Sequence, residues 1–327
     1  MSEGNIAWVQ PARFWPGESR YDGAVACIDL DRADAGPVVP SLPPCPVIGV
    51  GDSAHPFARH CDVLIEPPFT LEALLAQVAA KPMAAGVLVQ LLRQLPGLEV
   101  EQALVTESLA YGLLQGSAEH RAWLAGRPET MAGEAGAVVL CRTDHRLEVT
   151  LDRAAHGNAI DRAMRDALRE ALALAALDTD LTVVHLRARG RAFSLGADLA
   201  EFGTTSDPAV AHTIRTRTLP AYMAAHCAPK LTAHVQGACV GAGLELAAWA
   251  HCLTASANAW FQLPELAMGI LPGAGGCVSL TRRIGRQRTA LLALSGKRIS
   301  ARQALALGLV DAIVDAAPAD EGGTHIS

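Results

Sequence analysis

The sequence predicts an α/β protein whose second half is built on a parallel sheet. Short apolar runs alternate with amphipathic helical patterns from residue 135 onward, which is typical of parallel strands joined by helices. Residues 70–124 instead repeat leucines at helical spacing. Two glycine-rich turns, at 237–243 and 272–276, each come directly before a helical pattern. We therefore expect an N-terminal, largely helical region over residues 1–134 and a core over residues 135–327.

The composition is that of a globular protein with a slightly acidic balance. The 327 residues include 27 Lys and Arg against 33 Asp and Glu, and half of all residues are apolar, with a mean hydropathy of +0.23. This balance disfavours general binding of nucleic acid. The first residues lack the basic start of a signal peptide, and no apolar run reaches the roughly 18–20 residues of a membrane span. We expect a cytoplasmic protein with neither nucleic acid nor membrane as a partner.

The cysteines and histidines predict no metal centre. Eight cysteines are scattered without C-x-x-C spacing, and the eleven histidines do not cluster with them. In a chain of this length, such cysteines indicate packed, reduced thiols. We therefore expect no metal site and no metal or redox cofactor.

The first 134 residues predict short strands followed by helices. Apolar runs indicate strands at 25–30, 47–50 and 63–65. A connector with five prolines, residues 36–46, cannot be helical. From Thr70 to Leu124 the pattern is helical, with a break at Pro96-Gly97. Nothing in this half concentrates catalytic residue types, so the sequence predicts no site in it.

The elements of the second half follow in chain order. Alternation at 138–140 and 147–151 predicts a hairpin across Thr143-Asp144, and Asp161 can cap the helix that follows it. Further strands are predicted at 181–186, 231–235 and 310–314, and further helices at 209–225, after Gly275, near 288–294 and at 301–307.

Two glutamates accompany the glycine-rich turns. Glu245 follows the first turn on a helix, and Glu265 lies shortly before the second turn. Small residues let a backbone turn approach a ligand closely, and a helix N-terminus stabilises developing negative charge. Two carboxyl groups beside free N–H groups therefore indicate an active site. Taken singly, Glu245 could instead complement the helix dipole, and Glu265 could be a surface loop residue.

Seven motifs follow one another in unbroken order between about residue 137 and 315. They are Leu151–Ala159, Ala192–Asp198, Pro229–Leu231, Gly237–Ala247, Phe261–Glu265, Gly269–Gly276 and Ala304–Val310. Together they resemble the crotonase (enoyl-CoA hydratase/isomerase) superfamily. The resemblance implies a spiral core of repeated ββα turns, a homo-oligomer (trimer or hexamer) and an acyl-CoA substrate, so that coenzyme A enters as part of the substrate.

The resemblance also implies roles for particular residues. Glu245 would be the base and Glu265 the proton donor, with an oxyanion hole formed by the backbone N–H groups of Ala197 and Ala242. At 242 the family's usual glycine is alanine, which keeps the N–H but requires a negative φ. The implied substrate-binding residues are Arg153, Ala192, Phe193, Leu195, Gly241, Gly243, Pro272 and Gly273. Arg153 could hold coenzyme A phosphates, although a solvated arginine is an equally good interpretation.

The glutamate pair favours hydration of a 2-enoyl-CoA by a lyase of fatty acid metabolism. Enoyl-CoA isomerase, acyl-CoA hydrolase and a non-catalytic scaffold remain alternatives, because one fold supports several chemistries. The chain ends soon after Gly308-Leu-Val310, where family members continue with helices that cover the site. Residues 107–121 resemble that closing segment. The helices at 70–125 would then replace the family's C-terminal helices; the alternative is an unrelated helical domain.

Overall fold

A six-stranded sheet forms the centre of the molecule, and the computed structural model describes residues 6–18, 21–128 and 133–314. The strands are β1 (Ala26–Asp29), β2 (Val47–Val50), β3 (Val63–Leu64), β4 (Ala137–Thr143), β5 (Arg146–Asp152), β6 (Val183–Ala188), β7 (Leu231–Val235), β8 (Ala238–Val240), β9 (Cys252–Ala255), β10 (Trp260–Gln262), β11 (Ile299–Ser300) and β12 (Ala312–Ile313). The helices are α1 (Leu71–Ala80), α2 (Pro82–Gln94), α3 (Val100–Gln115), α4 (Ala118–Gly126), α5 (Arg162–Leu177), α6 (Pro208–Thr218), α7 (Ala221–Cys227), α8 (Ala242–Ala247), α9 (Gly276–Ser295) and α10 (Ala301–Ala306). The predicted boundary between regions, near residue 134, adjoins 129–132, which lie outside the described residues, as do 315–327.

The central sheet has the order β12-β9-β7-β6-β5-β4, in which β4 and β5 are antiparallel and the other neighbours are parallel. The predicted hairpin is confirmed, with Thr143 paired to Arg146, so its two-residue turn is Asp144-His145. A second sheet, β11-β10-β8, stacks the motif strands, and β8 leads directly into α8. Strand β10, which pairs with β8, ends at Gln262, shortly before Glu265.

The N-terminal region packs onto the core through its helices. Strands β1, β2 and β3 form a separate parallel sheet. Buried leucines of α2 and α3 belong to the same hydrophobic cluster as α5, α8 and α9; examples are Leu88, Leu92, Leu104, Leu168, Leu244 and Leu280. Burying apolar surface is the dominant favourable term in folding, so this shared cluster holds the helical region against the core.

Three local predictions can be compared directly with the backbone. Asp161 caps α5 as predicted, because its side chain accepts a hydrogen bond from Met164 N–H. The single helix predicted at 209–225 is wrong, since it divides into α6 and α7. Pro220 forces Leu219 into an extended conformation (φ −65°, ψ 130°), which ends the first helix. Helix α9 is likewise interrupted at Gly285, where φ is +80°.

No single helix among the described residues is long and apolar enough to cross a membrane. Helix α1 and residues 82–97, which are bent by 109° relative to each other, together have the length and composition of a broken membrane span.

Candidate active site

One cavity brings together the residues that the two glycine-rich turns predict. Its volume is about 720 Å³, and its lining includes Glu245, Glu265, Ala197 and Ala242. These residues come from two separate segments of the core, 192–198 and 241–265. The fold therefore places both carboxyl groups and both expected N–H donors around one space.

The backbone N–H groups of Ala197 and Ala242 point to no acceptor within the described residues. Ala242 is the first residue of α8, so its N–H has no partner inside the helix. The segment 192–198 and the first glycine-rich turn lie side by side. A Cβ built on Gly196 would be only 3.6 Å from the backbone nitrogen of Ala242. The positive φ of the turn, +47°, falls on Gly241, so the alanine at 242 keeps an ordinary helical backbone. Both donors are thus available to a ligand oxygen.

Glu245 is a buried carboxylate held by the second glycine-rich turn. Its side chain is on α8 and the residue is 2% exposed. Its Oε2 accepts hydrogen bonds from Ala274 N–H (2.7 Å) and Gly276 N–H (2.8 Å). Burial raises the pKa of Glu245 to about 7, while these two N–H groups oppose the rise. Gly276 must lack a side chain, since a Cβ there would lie 2.3 Å from Glu245 Cγ.

Glu265 is also buried, and it lies close to Gly241 of the first glycine-rich turn. The residue is 8% exposed, and its Oε2 is buried without a hydrogen-bond partner in the described part of the chain. A Cβ on Gly241 would lie 2.6 Å from Glu265 Oε1, so only glycine allows this approach. Burial, reinforced by repulsion from Glu245, raises the pKa of Glu265 well above its ordinary value. Both effects favour its protonated form.

The N-terminal helical region contributes residues that the sequence analysis did not place in the site. Glu107 of α3 is buried (1% exposed) and accepts hydrogen bonds from Gly275 N–H (2.7 Å) and Val278 N–H (3.2 Å). Tyr111 lines the cavity, and its ring lies where a Cβ on Gly273 would sit. An acidic residue and an aromatic one four positions apart share a helix face. This spacing of Glu107 and Tyr111 on the apolar face of α3 is the sequence pattern from which their place in the site could have been predicted.

Several predicted binding residues do line the cavity and others do not. Leu195, Gly241 and Gly273 are in its lining. The lining does not include Arg153, Ala192, Phe193, Gly243 and Pro272. Phe193 is fully buried, so it supports the turn from the core. Gly243 instead makes room for Ser194, which lies 2.5 Å from where its Cβ would be.

Arg153 has a different role from the predicted contact with coenzyme A. Its side chain is 4% exposed and forms ion pairs with Asp198 (2.7 Å) and Asp161 (3.6 Å). Its guanidinium also donates to the carbonyl oxygens of Glu134 and Ala159. A guanidinium engaged in this way joins the oxyanion turn to the start of α5, and its burial leaves little surface for a phosphate. The expectation for Arg153 is therefore not supported.

The described residues include no group of three or more His, Cys, Asp or Glu side chains arranged to hold a metal ion. The cavity lining places two buried carboxyl groups beside two backbone N–H donors.

Comparison with known proteins decides the family. The family model described as Enoyl-CoA hydratase/isomerase matches residues 145–321, more than half of the chain. The chain belongs to the enoyl-CoA hydratase/isomerase family. It is therefore an enzyme of the hydratase/isomerase type with an acyl-CoA substrate, and its core has the crotonase fold.

Individual enoyl-CoA hydratase relatives match a little over half of this chain. The chain is 38% identical over 183 residues to the 2,3-dehydroadipyl-CoA hydratase of Escherichia coli, covering 56% of this chain and 70% of that protein. It is 36% identical to a probable mitochondrial enoyl-CoA hydratase 2 of Arabidopsis thaliana, covering 54% of this chain and 58% of that one. A putative enoyl-CoA hydratase/isomerase structure from Mycobacterium abscessus superposes with a TM-score of 0.51 at 32% identity, covering 55% and 71% of the two chains.

Proposed function

We propose that this enzyme hydrates a 2-enoyl-CoA thioester, adding water across the double bond next to the carbonyl. The observation that carries the proposal is the contrast between the two buried glutamates. Glu245 accepts two backbone hydrogen bonds, which favour its ionised form. Glu265 has a buried oxygen without a partner among the described residues, which favours its protonated form. Two neighbouring carboxyl groups held in different protonation states can act as a base and an acid.

The reaction follows from these states. Glu245 takes a proton from water while the water oxygen bonds to C3, and the C2=C3 electrons shift toward the thioester carbonyl. The resulting enolate oxygen lies between Ala197 N–H and Ala242 N–H, which stabilise the charge without reorganising. C2 then takes the proton of Glu265. At the end Glu245 has gained a proton and Glu265 has lost one, so the pair exchanges a proton before the next turnover.

The apolar surroundings assist each step. Side chains such as Ile160, Leu168, Leu195 and Ile270 share the cavity lining, and in such surroundings hydrogen bonds to a developing charge are stronger than in water. The same burial raises the pKa values of both glutamates toward the neutral pH range in which they would act as base and acid.

The test follows loss of the conjugated thioester absorbance of crotonyl-CoA and longer 2-enoyl-CoA thioesters. Wild-type protein is expected to hydrate at least one of them, and Glu245→Gln and Glu265→Gln are each expected to lower kcat by at least about 10²-fold. Glu170→Gln, an exposed site on α5, is the matched control and should match wild type. No hydration by wild type of any chain length, or full activity in either cavity variant, would contradict the proposal.

A further inference from the structure

Arg215 lies in the same cavity as the two glutamates. The proposed hydration steps do not involve its side chain. It is on α6, and both it and the glutamates contribute to the cavity lining. Burial lowers the pKa of the Arg215 guanidinium, an effect that Tyr111 and Glu107 oppose. The group still remains charged near neutrality, since an isolated guanidinium loses its proton only above about pH 12. The cavity therefore contains a permanent positive charge.

The guanidinium of Arg215 is fixed in position. Nε donates to Ser108 Oγ (3.0 Å), Nη1 to Gln115 Oε1 (2.6 Å) and Nη2 to Ser108 O (3.0 Å). Its carbon centre lies 4.5 Å from the centroid of the Tyr111 ring, a cation–π distance. A Cβ on Gly112 would come within 3.3 Å of Nη2, so the glycine in the middle of α3 makes room for it. A group held this way loses little conformational freedom on binding a ligand.

Among the described residues, the hydrogen-bond and ring partners of Arg215 are uncharged, which distinguishes it from the other arginines of the cavity. Arg162 pairs with Glu201 (3.8 Å) and Arg165 with Asp166 (2.7 Å). Arg215 instead contacts a hydroxyl, an amide oxygen, a backbone carbonyl and an aromatic ring. A partly buried cation that forms no ion pair is unfavourable by itself, and the carboxyl group of Glu107 compensates it only from a distance. The arrangement favours a negatively charged ligand.

Two N–H groups of Arg215 are not used by the described hydrogen bonds. A guanidinium has five N–H groups, and the described hydrogen bonds use one on each of its three nitrogens. One N–H therefore remains on Nη1 and one on Nη2. The two terminal nitrogens of one guanidinium can together donate to the two oxygens of a carboxylate. The nearby carboxyl group of Glu107 does not fill this position, since its oxygens accept from Gly275 and Val278.

We propose that Arg215 binds a carboxylate at the far end of the acyl chain. The preferred substrate is then a 2-enoyl-CoA whose acyl group ends in a carboxylate in place of a methyl group. This inference rests on the proposed function, because Ala197 and Ala242 must fix the thioester end so that the distal end of the chain is the part that reaches Arg215. An anionic group of coenzyme A itself is the other possible source of negative charge, and the experiment separates the two.

The test compares two 2-enoyl-CoA thioesters of equal chain length, one ending in a carboxylate and the other in a methyl group, over several chain lengths. Wild type is expected to show the higher kcat/KM with the carboxylate-ended substrate at one or more lengths. In Arg215→Met the ratio of the two kcat/KM values should fall about 10- to 100-fold, the range for hydrogen bonds to a charged group. Most of the change should appear in KM. Arg217→Met, an exposed site two residues further on α6, is the control and should keep the wild-type ratio.

Each other outcome has a defined meaning. An equal loss with both substrates would assign Arg215 to coenzyme A or to folding and overturn the inference, as would a wild-type preference for the methyl-ended substrate at every length. If thermal unfolding shows that Arg215→Met does not fold, Arg215→Lys keeps the charge without the paired donors, and its ratio should fall about 10-fold.

Failure of the proposed hydration can be recognised separately. If wild type hydrates neither substrate, the binding of saturated acyl-CoA thioesters of the same two kinds is measured by calorimetry. Tighter binding of the carboxylate-ended thioester that is lost in the Arg215 variant would support the inference while the hydration proposal fails. Equal affinities in wild type would overturn the inference.

Discussion

Glu107 Oε1 accepts a hydrogen bond of 2.7 Å from the backbone N–H of Gly275, a residue 168 positions further along the chain. The N–H groups on either side of Gly275, those of Ala274 and Gly276, donate to Glu245. The N–H groups of the turn 272–276 are therefore bound alternately: Ala274 and Gly276 donate to Glu245 of the core, and Gly275 donates to Glu107 of the N-terminal region. We therefore expect Glu107 to act on the reaction through this turn, as a positioning residue.

Removing the Glu107 carboxyl group tests this link. In Glu107→Ala the buried N–H groups of Gly275 and Val278 lose their acceptor, and each unpaired group costs about 1–3 kcal/mol. We expect a lower free energy of unfolding in urea and a lower kcat, because the turn that holds Glu245 loosens. Glu101→Ala, exposed on the same helix, should change neither. A Glu107→Ala protein with wild-type stability and kcat would refute the positioning role.

The pH dependence of the reaction follows from the two glutamates. Glu245 must be ionised to act as base, and its pKa is raised to about 7. The value of kcat/KM should therefore rise with pH through about 7, and fall at higher pH as Glu265 loses the proton that burial and repulsion retain. A pH–rate profile measures both limbs. A rising limb near 4.5, the ordinary glutamate value, would show that Glu245 is not the group that titrates.

Ionisation of Glu245 should lower the stability of the protein, although it raises kcat/KM. Between pH of about 4.5 and about 7, folded Glu245 keeps a proton that the unfolded chain has lost. The folded state binds more protons at Glu245 in this window, so the contribution of Glu245 to the free energy of unfolding falls as pH rises through it and levels off above it. Urea unfolding across this range should show a smaller decline in Glu245→Gln than in wild type. An identical decline in both proteins would mean that Glu245 is ionised throughout.

The N–H donor of Ala242 can be removed with little change to the backbone. Ala242 is the first residue of α8, a position that proline tolerates. Ala242→Pro should therefore retain most of the thermal stability and lose about 10²–10³ in kcat, the usual cost of one oxyanion donor. Ala242→Gly keeps the N–H and is the matched control. Comparable activity of the proline and glycine variants would remove Ala242 from the mechanism.

Local chemistry explains which parts of the site were predictable. The cap at Asp161, the β4–β5 hairpin and the turn before Glu245 depend on residues close in sequence, and the sequence predicted all three. Arg153 was misjudged, because its position between Asp161 and Asp198 is a tertiary contact with no signature in its own neighbourhood.

The contribution of the N-terminal helices was harder to predict. Glu107, Tyr111 and Arg215 meet the core glutamates only through the packing of α3 against α6 and α9, which no local pattern specifies. Helix α4 also reaches the site, where His120 Nδ1 lies 2.9 Å from Met268 O. These contacts support the hypothesis that residues 71–126 take the place of the family's C-terminal helices, within the same chain.

The identity of the product is the most direct test of the central claim that two buried glutamates and two backbone N–H groups add water to an enoyl thioester. The reaction is run in deuterated water with a 2-enoyl-CoA thioester, and the product is analysed by NMR. The account predicts a 3-hydroxyacyl-CoA with one deuterium at C2, formed by wild type and almost abolished in Glu265→Gln. A product whose double bond has migrated, a free acid released by thioester hydrolysis, or unchanged substrate would contradict it.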